Sequence, residues 1–495
     1  MQLATPVMIG MVAGFSMNFV DTLMAGRLAD KEIALAAIAT GGAIWSAALM
    51  FVLGLLMALQ PVIAQLDGAG NRQEGGVAAR QGMWIALAVA VPFIFILLAG
   101  GKTLQWMAVD PELIPTAVKY MNALTWGVPA ICLLLLLRFF SEGGGHTRPT
   151  MYIGILGVMM NVPLNYILMF GKLGMPELGA QGCGYSTSIV IWVQLLVMFF
   201  YVRRHKHFKE FELFSRWDWP QWQPISKLLV IGLPIATGIF VEGSLFVGAA
   251  LLIARLGALP ASAHLIAINF SALLFMVPLG LASAVTTRVG NALGRGEPEA
   301  ARYAGLIGVV IVLFTQTLGA ATMLLIPGWI VRIYTDDAAI ASIAVGLLFY
   351  SAIFQYADGI QICAAGALRG LKDTLVPMFI NILSYMVIGL SVGYYLTFNQ
   401  EMGPAGMWIG MIVGLSFGAV LLGGRFLFKS SKLIRLGRVE KMDPGSSPGR
   451  VRLGRRFSST VKVRVGVCQG SVTESNCVTV RWGGEQLEVN NRSVG

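Results

Sequence analysis

Three carboxylic acids stand inside long apolar stretches of this sequence. Asp21 lies in GFSMNFVDTLMAG, Glu242 in GIFVEGSLFVG and Asp358 in FQYADGIQI. A carboxylate costs about 2.5 to 3.5 kcal/mol at the centre of a membrane-spanning helix. That cost falls when the group takes up a proton or binds a cation that arrives from outside. Acids that alternate between these two states would exchange protons or metal cations for positively charged solutes.

The composition indicates that these acids lie in a membrane. Of 495 residues, 56% are hydrophobic and only 12% are charged, whereas about 25% are charged in soluble domains. Runs of about 20 apolar residues are long enough to cross a bilayer as helices, and their continuity excludes barrel strands. The predicted spans are residues 3–26, 35–65, 83–107, 119–140, 149–171, 182–202, 227–256, 264–287, 303–331, 339–366, 375–397 and 404–428.

The distribution of Lys and Arg predicts the orientation of these spans. Fifteen basic residues, including Arg369, fall in the loops on the side of the N-terminus, and seven fall on the other side. The positive-inside rule therefore predicts that both termini are cytoplasmic. The net charge of +11 is explained by this topology and does not indicate a nucleic-acid partner.

The chain also repeats itself at a shift of 222 to 224 residues. The matches are ELGAQG at 177–182 with EMGPAG at 401–406, Arg72 and Glu74 with Arg295 and Glu297, and AAR at 78–80 with AAR at 300–302. Six spans per repeat give both copies the same orientation. The predicted fold is an all-α integral membrane protein of twelve transmembrane helices, in two six-helix bundles related by a pseudo-twofold along the membrane normal.

This repeat divides the chain into four predicted parts. Residues 1–205 form the N-terminal lobe, 206–226 a basic cytoplasmic linker, 227–430 the C-terminal lobe and 431–495 a basic polar tail. The tail has too few large apolar side chains to bury much of a core. We interpret it as disordered or as an artefact of a shifted or fused reading frame.

The interior of the spans contains no basic residue at the depth of the three acids. Arg138 stands near the end of a span, from which its side chain can extend to the interface, and Arg255 and Arg288 stand at span termini. The membrane interior is therefore expected to be three charges negative. A purely structural interpretation stays open, in which each acid is protonated and donates a hydrogen bond between helices.

Polar and aromatic residues near the acids extend two candidate sites. Asn161 and Asn165 stand four residues apart, so both face one side of their helix. They could form hydrogen bonds with Asp21, or could equally form hydrogen bonds that join packed helices. Phe354 and Tyr356 stand near Asp358 and could offer aromatic faces to an organic cation, although aromatic residues in spans usually serve packing. His146 and His264 stand alone and are interpreted as structural.

Several longer segments make the interpretation specific. FVDTLMAGRL, NVPLNYILMFG, FVEGSLF and QYADGIQICAAGALRGLKDT resemble the multidrug and toxic compound extrusion (MATE) transporters, in particular the bacterial NorM-like branch. The resemblance runs from residue 1 to about residue 430. It implies an antiporter of the bacterial inner membrane that exports cationic, often aromatic, drugs and dyes in exchange for Na⁺ or H⁺.

The resemblance also assigns roles to residues. It implies a cation site at Asp21, Asn161 and Asn165 in the first lobe, and another at Glu242 and Asp358 in the second. Substrate would contact Asp21, Glu242, Phe354, Tyr356 and Asp358. Phe354 stands where many members of the family have tyrosine, so a hydroxyl ligand for Na⁺ is missing there.

Other functions and partners are weighed against this one. A lipid-linked sugar flippase of related fold would need deep basic residues, and an intramembrane aspartyl enzyme would need a GxGD motif, which this sequence lacks. We expect a monomeric transporter and not an enzyme. It would have no cofactor and no resident metal beyond a transient Na⁺ at Glu242 and Asp358.

Overall fold

The computed structural model describes residues 3–28, 30–107 and 109–442, together with three short strands further on. In the first half of the chain the helices are α1 (Ala4–Ala25), α2 (Lys31–Leu56), α3 (Leu59–Gly68), α4 (Arg72–Leu98), α5 (Gly100–Trp106), α6 (Ile114–Thr125), α7 (Val128–Gly143), α8 (Arg148–Met169), α9 (Ala180–Arg204) and α10 (Lys206–Lys209). The second half contains α11 (Trp222–Ala254), α12 (Ala258–Gly294), α13 (Pro298–Leu325), α14 (Pro327–Arg332), α15 (Ala338–Gly370), α16 (Leu375–Ile382), α17 (Leu390–Tyr394) and α18 (Pro404–Met442). Two π-helical segments, Leu383–Gly389 and Tyr395–Asn399, continue the span of α16 and α17.

The predicted membrane helices are confirmed. Eleven helices among the described residues are long and apolar enough to cross a membrane, and a twelfth span is the pair α6 and α7, bent by 49°. Gly127 and Pro129 stand at this bend. A proline lacks the N–H that an uninterrupted helix would require, so the bend has a local cause.

Several helices extend beyond their predicted ends. α7 continues to Gly143, α15 to Gly370 and α18 to Met442, whereas the predicted spans end at residues 140, 366 and 428. The extensions matter because they carry Glu142 and Arg369, which the sequence placed in loops, into the packed interior. Hydropathy alone does not detect such extensions, since polar residues end an apolar window even where the helix continues.

Much of the apolar surface faces outward. Phe95, Val230, Leu325 and Val420 are among many large apolar side chains that are more than half exposed. On a soluble protein such continuous exposure would cause aggregation, but lipid tails solvate it without cost.

The two halves of the membrane unit meet at the side where α1 begins, which we call the N-terminal face. Gln60 on α3 donates from Nε2 to Ser283 Oγ on α12 at 2.7 Å, and Asn291 on α12 donates from Nδ2 to Asp67 on α3 at 3.4 Å. The partners in these two bonds are separated by 223 and 224 residues, which is the shift of the internal repeat. Residues at equivalent positions in two symmetric copies touch only near the symmetry axis, so the pseudo-twofold passes between α3 and α12 at this face.

A buried carboxylate strengthens the same junction. Glu142 on α7 accepts hydrogen bonds from Arg138 Nε at 2.8 Å and from Thr150 Oγ1 at 3.1 Å within the first half. Ser283 of the second half donates to its other oxygen at 2.8 Å, and Thr287 donates to its main-chain carbonyl at 3.0 Å. Glu142 is fully buried. The sequence-based inventory of buried charges was therefore incomplete, because it omitted Glu142, and Arg138, which was expected to extend to the interface, pairs with this acid.

The predicted linker packs closely on α4. Arg80 Nε donates to Asp218 at 2.5 Å, and Trp84 Nε1 donates to the Asp218 carbonyl at 2.9 Å. Trp84 also stacks on Trp219 with ring centroids 6.4 Å apart. These bonds attach the connection between the halves to the first half.

His146 has histidine neighbours, contrary to the expectation that it stands alone. Its ring centroid lies 4.6 Å from that of His205 and 4.5 Å from that of His207. His207 Nε2 lies 3.4 Å from Asp67, the residue that contacts Asn291 across the halves. Burial lowers the pKa of both His205 and His207, and the neighbouring His146 lowers it further. Asp67 and Glu210 oppose this lowering at His207, and Arg72 adds to it.

A second compact unit comprises residues Arg435–Gly495. Its described strands are β1 (Val463–Arg464), β2 (Val478–Trp482) and β3 (Glu485–Val489), which form an antiparallel sheet in the order β1-β2-β3. The interpretation of the remaining tail as disordered or artefactual concerns residues outside those that the structure describes.

One added methyl group should destabilise the protein where the backbones of the two halves approach each other closely. A Cβ at Gly54 on α2 would lie 2.5 Å from Ala236 Cα and 2.8 Å from Ala236 N on α11. Backbone cannot give way as a side chain can, so Gly54→Ala should lower the free energy of unfolding by about 1 to 3 kcal/mol. Thermal unfolding of the purified protein measures this. Gly42→Ala on the same helix, with open space around its new Cβ, should match or exceed wild type.

The histidine cluster predicts a pH dependence. The folded state lowers the pKa of His205 and His207, so the unfolded chain binds protons more readily than the folded protein. The free energy of unfolding therefore decreases as the pH falls below about 6.5. The double variant His205→Asn, His207→Asn should therefore lose less thermal stability than wild type on acidification. Equal losses in the two proteins would contradict this role.

Candidate cation and drug sites

Asp21 lies in a polar cluster between α1, α8 and α9. Its side chain is buried, at 6% exposure. Asn161 and Asn165 donate from Nδ2 to Asp21 Oδ1 at 3.0 and 2.6 Å, and Thr187 Oγ1 lies 3.4 Å from Oδ2. The structure thus brings together the three residues that the sequence grouped in the first half. Their function in cation binding stays a prediction.

The asparagines point to the acid because of their spacing. Residues four apart on α8 project from one face, and Asn165 Nδ2 also donates to Asn161 Oδ1 at 3.2 Å. Asn165 Oδ1 is buried and has no partner among the described residues. Thr187 was not predicted, because its distance along the chain from Asp21 carries no signal. Only the packing of α9 on α8 reveals it.

Glu242 and Asp358 form the second cluster, on α11 and α15. The two carboxyl groups interact electrostatically, and Asp358 is 2% exposed. Glu242 Oε1 and Asp358 Oδ1 are both shielded from solvent without a hydrogen-bond partner among the described residues. Buried oxygen atoms in native proteins are nearly always paired. Their unpaired state here is suited to a cation or a proton.

The aromatic residues assigned to substrate lie apart from this pair. Phe354 is buried and packs edge-on against Phe246 and Trp408, with ring centroids 6.0 and 5.6 Å away. Tyr356 stands two residues before Asp358, which on a helix is about 200° away, and its hydroxyl lies 3.2 Å from Thr317 on α13. The structure therefore does not bring either ring beside the acid as an open face. Their contact with substrate stays a prediction.

Arg369 corrects the expectation that the second half lacks a buried cation. The sequence counted it among loop residues, but the last turn of α15 buries it to 6% exposure. Arg369 and Glu242 interact electrostatically and line one cavity of about 40 Å³ between α11, α15 and α16. The charge inventory was wrong at this position because helix ends cannot be placed to within a turn from hydropathy.

A larger hollow lies beside α1. It has a volume of about 490 Å³. Its walls are almost entirely apolar and come from α1 (Met8, Ile9, Val12, Ala13 and Ser16), α8 (Ile155, Val158 and Met159) and α12 (Val277). Its position between the first half and α12 of the second gives it the size and surface that a drug-sized apolar molecule requires.

Paired six-helix halves around a pseudo-twofold, each with buried acids, define a membrane transporter. Two segments of the chain, residues 6–167 and 234–395, match the family model described as MatE. The chain therefore belongs to the MatE family, and the double match reproduces the internal repeat. The predicted family is confirmed.

Curated relatives agree with this family. A probable multidrug resistance protein NorM from Xanthomonas axonopodis pv. citri is 41% identical over 431 residues, covering 87% of this chain and 94% of the relative. Multidrug resistance protein PmpM from Pseudomonas aeruginosa is 40% identical over 445 residues, covering 88% and 91%. Multidrug resistance protein NorM from Vibrio cholerae is 40% identical over 450 residues, covering 89% and 97%. The NorM-like branch expected from the sequence is thus supported, as is a transporter and not an enzyme.

Solved structures show the same fold. The eukaryotic MATE transporter AtDTX14 aligns with a TM-score of 0.79 at 22% identity, covering 88% of this chain and 97% of the other. A multidrug resistance MATE family transporter in an outward-facing conformation aligns with a TM-score of 0.80 at 20% identity, covering 88% and 95%.

The cluster at Asp21 predicts that Asn165 and Asp21 are energetically coupled in their contribution to stability. Asn165→Leu should destabilise the protein by about 1 to 3 kcal/mol, because a charge-assisted bond to a buried acid is lost. In an Asp21→Leu background the same change should cost much less. Thermal unfolding of the four proteins in this cycle tests it. A cost that is equal in both backgrounds would show that Asn165 acts only through packing.

Proposed function

We propose that this protein is a multidrug efflux antiporter that exports cationic aromatic drugs and dyes in exchange for Na⁺ or H⁺. The observation that carries the proposal is the pair of buried acid clusters, one in each half, in which oxygen atoms of Glu242, Asp358 and Asn165 have no hydrogen-bond partner among the described residues. The names of the relatives support multidrug substrates.

The chemistry of the acids supports antiport. A carboxylate in a low-dielectric interior must be neutralised, and one site cannot satisfy an organic cation and an inorganic cation at the same time. Binding of one cation therefore favours release of the other. Such competition is the differential affinity that any ligand-driven conformational change requires.

Coupling to transport requires alternating access between the two halves. The junction at Gln60, Glu142 and Ser283 closes the N-terminal face. With both termini in the cytoplasm, as the positive-inside rule predicts, this face is the cytoplasmic one. Opening of the junction would expose the acid clusters to cytoplasmic drug.

The apolar hollow of about 490 Å³ supports an aromatic substrate. Its wall includes Ser16 on α1, five residues before Asp21 on the same helix. Asp21 lies about 140° around α1 from Ser16, so this wall offers packing for aromatic rings and not direct access to the acid. The flippase alternative is less well supported, because Arg369 lines a cavity of only about 40 Å³, too small for an anionic headgroup.

Neutralising the acids should abolish coupled efflux. Glu242→Gln, Asp358→Asn and Asp21→Asn should each reduce ethidium efflux from cells by about tenfold or more, because a neutral amide cannot hold either cation. Glu112→Gln, at an exposed site, should retain wild-type efflux. Imposing Na⁺ and pH gradients separately identifies the coupling ion. Wild-type efflux in both Glu242→Gln and Asp358→Asn would refute the proposal.

A further inference from the structure

The cavity at Glu242 contains more polar groups than a cation site needs. Besides Glu242 it is lined by Gln361, Arg369, Thr374 and Asn381. Its volume of about 40 Å³ is enough for a few water molecules or one small ion. The rest of its lining is apolar, so the polar groups occupy only part of its surface.

Several polar atoms of the residues that line this cavity have no hydrogen-bond partner within the part of the chain that the structure describes. Glu242 Oε1, both amide atoms of Gln361, Asn381 Oδ1 and the Nε and Nη2 atoms of Arg369 are buried without hydrogen-bond partners among the described residues. Leaving a charged donor unsatisfied is costly. Glu242 is the carboxylate that interacts electrostatically with the guanidinium across this cavity, without a direct ion pair between the two described side chains.

Arg369 also touches the first half of the protein. Its Nη1 lies 3.0 Å from the sulfur of Met57, at the end of α2. Gln65 on α3 donates to the carbonyl of Gly370, the next residue, at 2.8 Å. The last turn of α15 is thus part of the junction between the halves, and Arg369 in this turn lines the same cavity as Glu242.

We infer that Arg369 is the resident counter-cation of Glu242, and that it links occupation of this acid to the junction between the halves. This inference rests on the proposed function. An incoming Na⁺ or proton neutralises Glu242 and removes the attraction that holds the guanidinium. The cost of burying the charged guanidinium beside Met57 is then no longer offset, and the N-terminal face loosens. Arg369 is a positioning residue, which acts through Glu242.

Removal of the resident charge should separate binding from transport. In Arg369→Met, the cation no longer competes with a guanidinium, so the cation concentration at half-maximal thermal stabilisation should fall by about tenfold. Ion-driven ethidium efflux should fall by about tenfold as well, because binding no longer loosens the junction. If Arg369 had only a structural role, Arg369→Met would weaken both cation binding and efflux. Arg369→Lys, which keeps the charge, should retain the wild-type midpoint, and Arg288→Met, at an exposed arginine, should match wild type in both readouts.

The titrations use NaCl replaced by choline chloride at constant pH and ionic strength and, separately, a pH series without Na⁺. If wild type shows neither cation-dependent stabilisation nor ion-driven efflux, the proposed function fails. If wild type shows both and Arg369→Met keeps the wild-type midpoint, the inference about Arg369 alone is overturned.

A double-mutant cycle tests the charge pairing even if the Arg369→Met variant folds poorly. Arg369→Met should destabilise the protein strongly when Glu242 is present and much less when Glu242→Gln is present, since the pair then no longer carries opposite charges. Restored expression and thermal stability in the double variant support the charge pairing. Equal destabilisation in both backgrounds overturns it.

Discussion

Burial of carboxylates in a low-dielectric interior is the constraint on which this structure depends. Asp21, Glu242, Asp358 and Glu142 lie where water is scarce, and each carries its own solution to the resulting cost. Glu142 is paired with Arg138 and with hydroxyls from both halves, so it stabilises the contact between the halves. Asp21 accepts hydrogen bonds from two asparagine amides, whereas Glu242 Oε1 and Asp358 Oδ1 have no hydrogen-bond partner among the described residues. The degree of internal satisfaction therefore separates acids that hold the fold from acids that are suited to a mobile cation.

The arrangement of the halves follows from small and polar residues at one face. Gly54 lets the backbones of α2 and α11 approach, and Gln60, Ser283 and Thr287 bond near the pseudo-twofold axis. Helices in lipid gain little from burying apolar surface, so such close packing and hydrogen bonding carry the association. A junction built from few directional bonds can open and close with modest changes in energy. That property suits a protein whose halves must alternate.

Arg369 connects these two themes. It stands at the end of α15, where the helix dipole favours a cation, and it lies between the second acid cluster and the junction. A buried cation alters the electrostatic description of the second half, and in the inferred mechanism an entering ion competes with this cation for Glu242. The first cluster has amide and hydroxyl partners around its acid, so the two halves are not electrostatically equivalent despite their common fold.

Much of this protein was determined by its sequence alone. Continuous apolar runs fixed the helical class, the shift of 222 to 224 residues revealed the repeat, and the rarity of charge in the spans singled out Asp21, Glu242 and Asp358. These features are local or periodic, and hydropathy reports them directly. Tertiary structure decided the rest: that Thr187 joins Asp21, that Phe354 faces an aromatic core, and that Glu142 and Arg369 are buried. These outcomes depend on which helices pack together and on where each helix ends, and a linear pattern of residues contains neither.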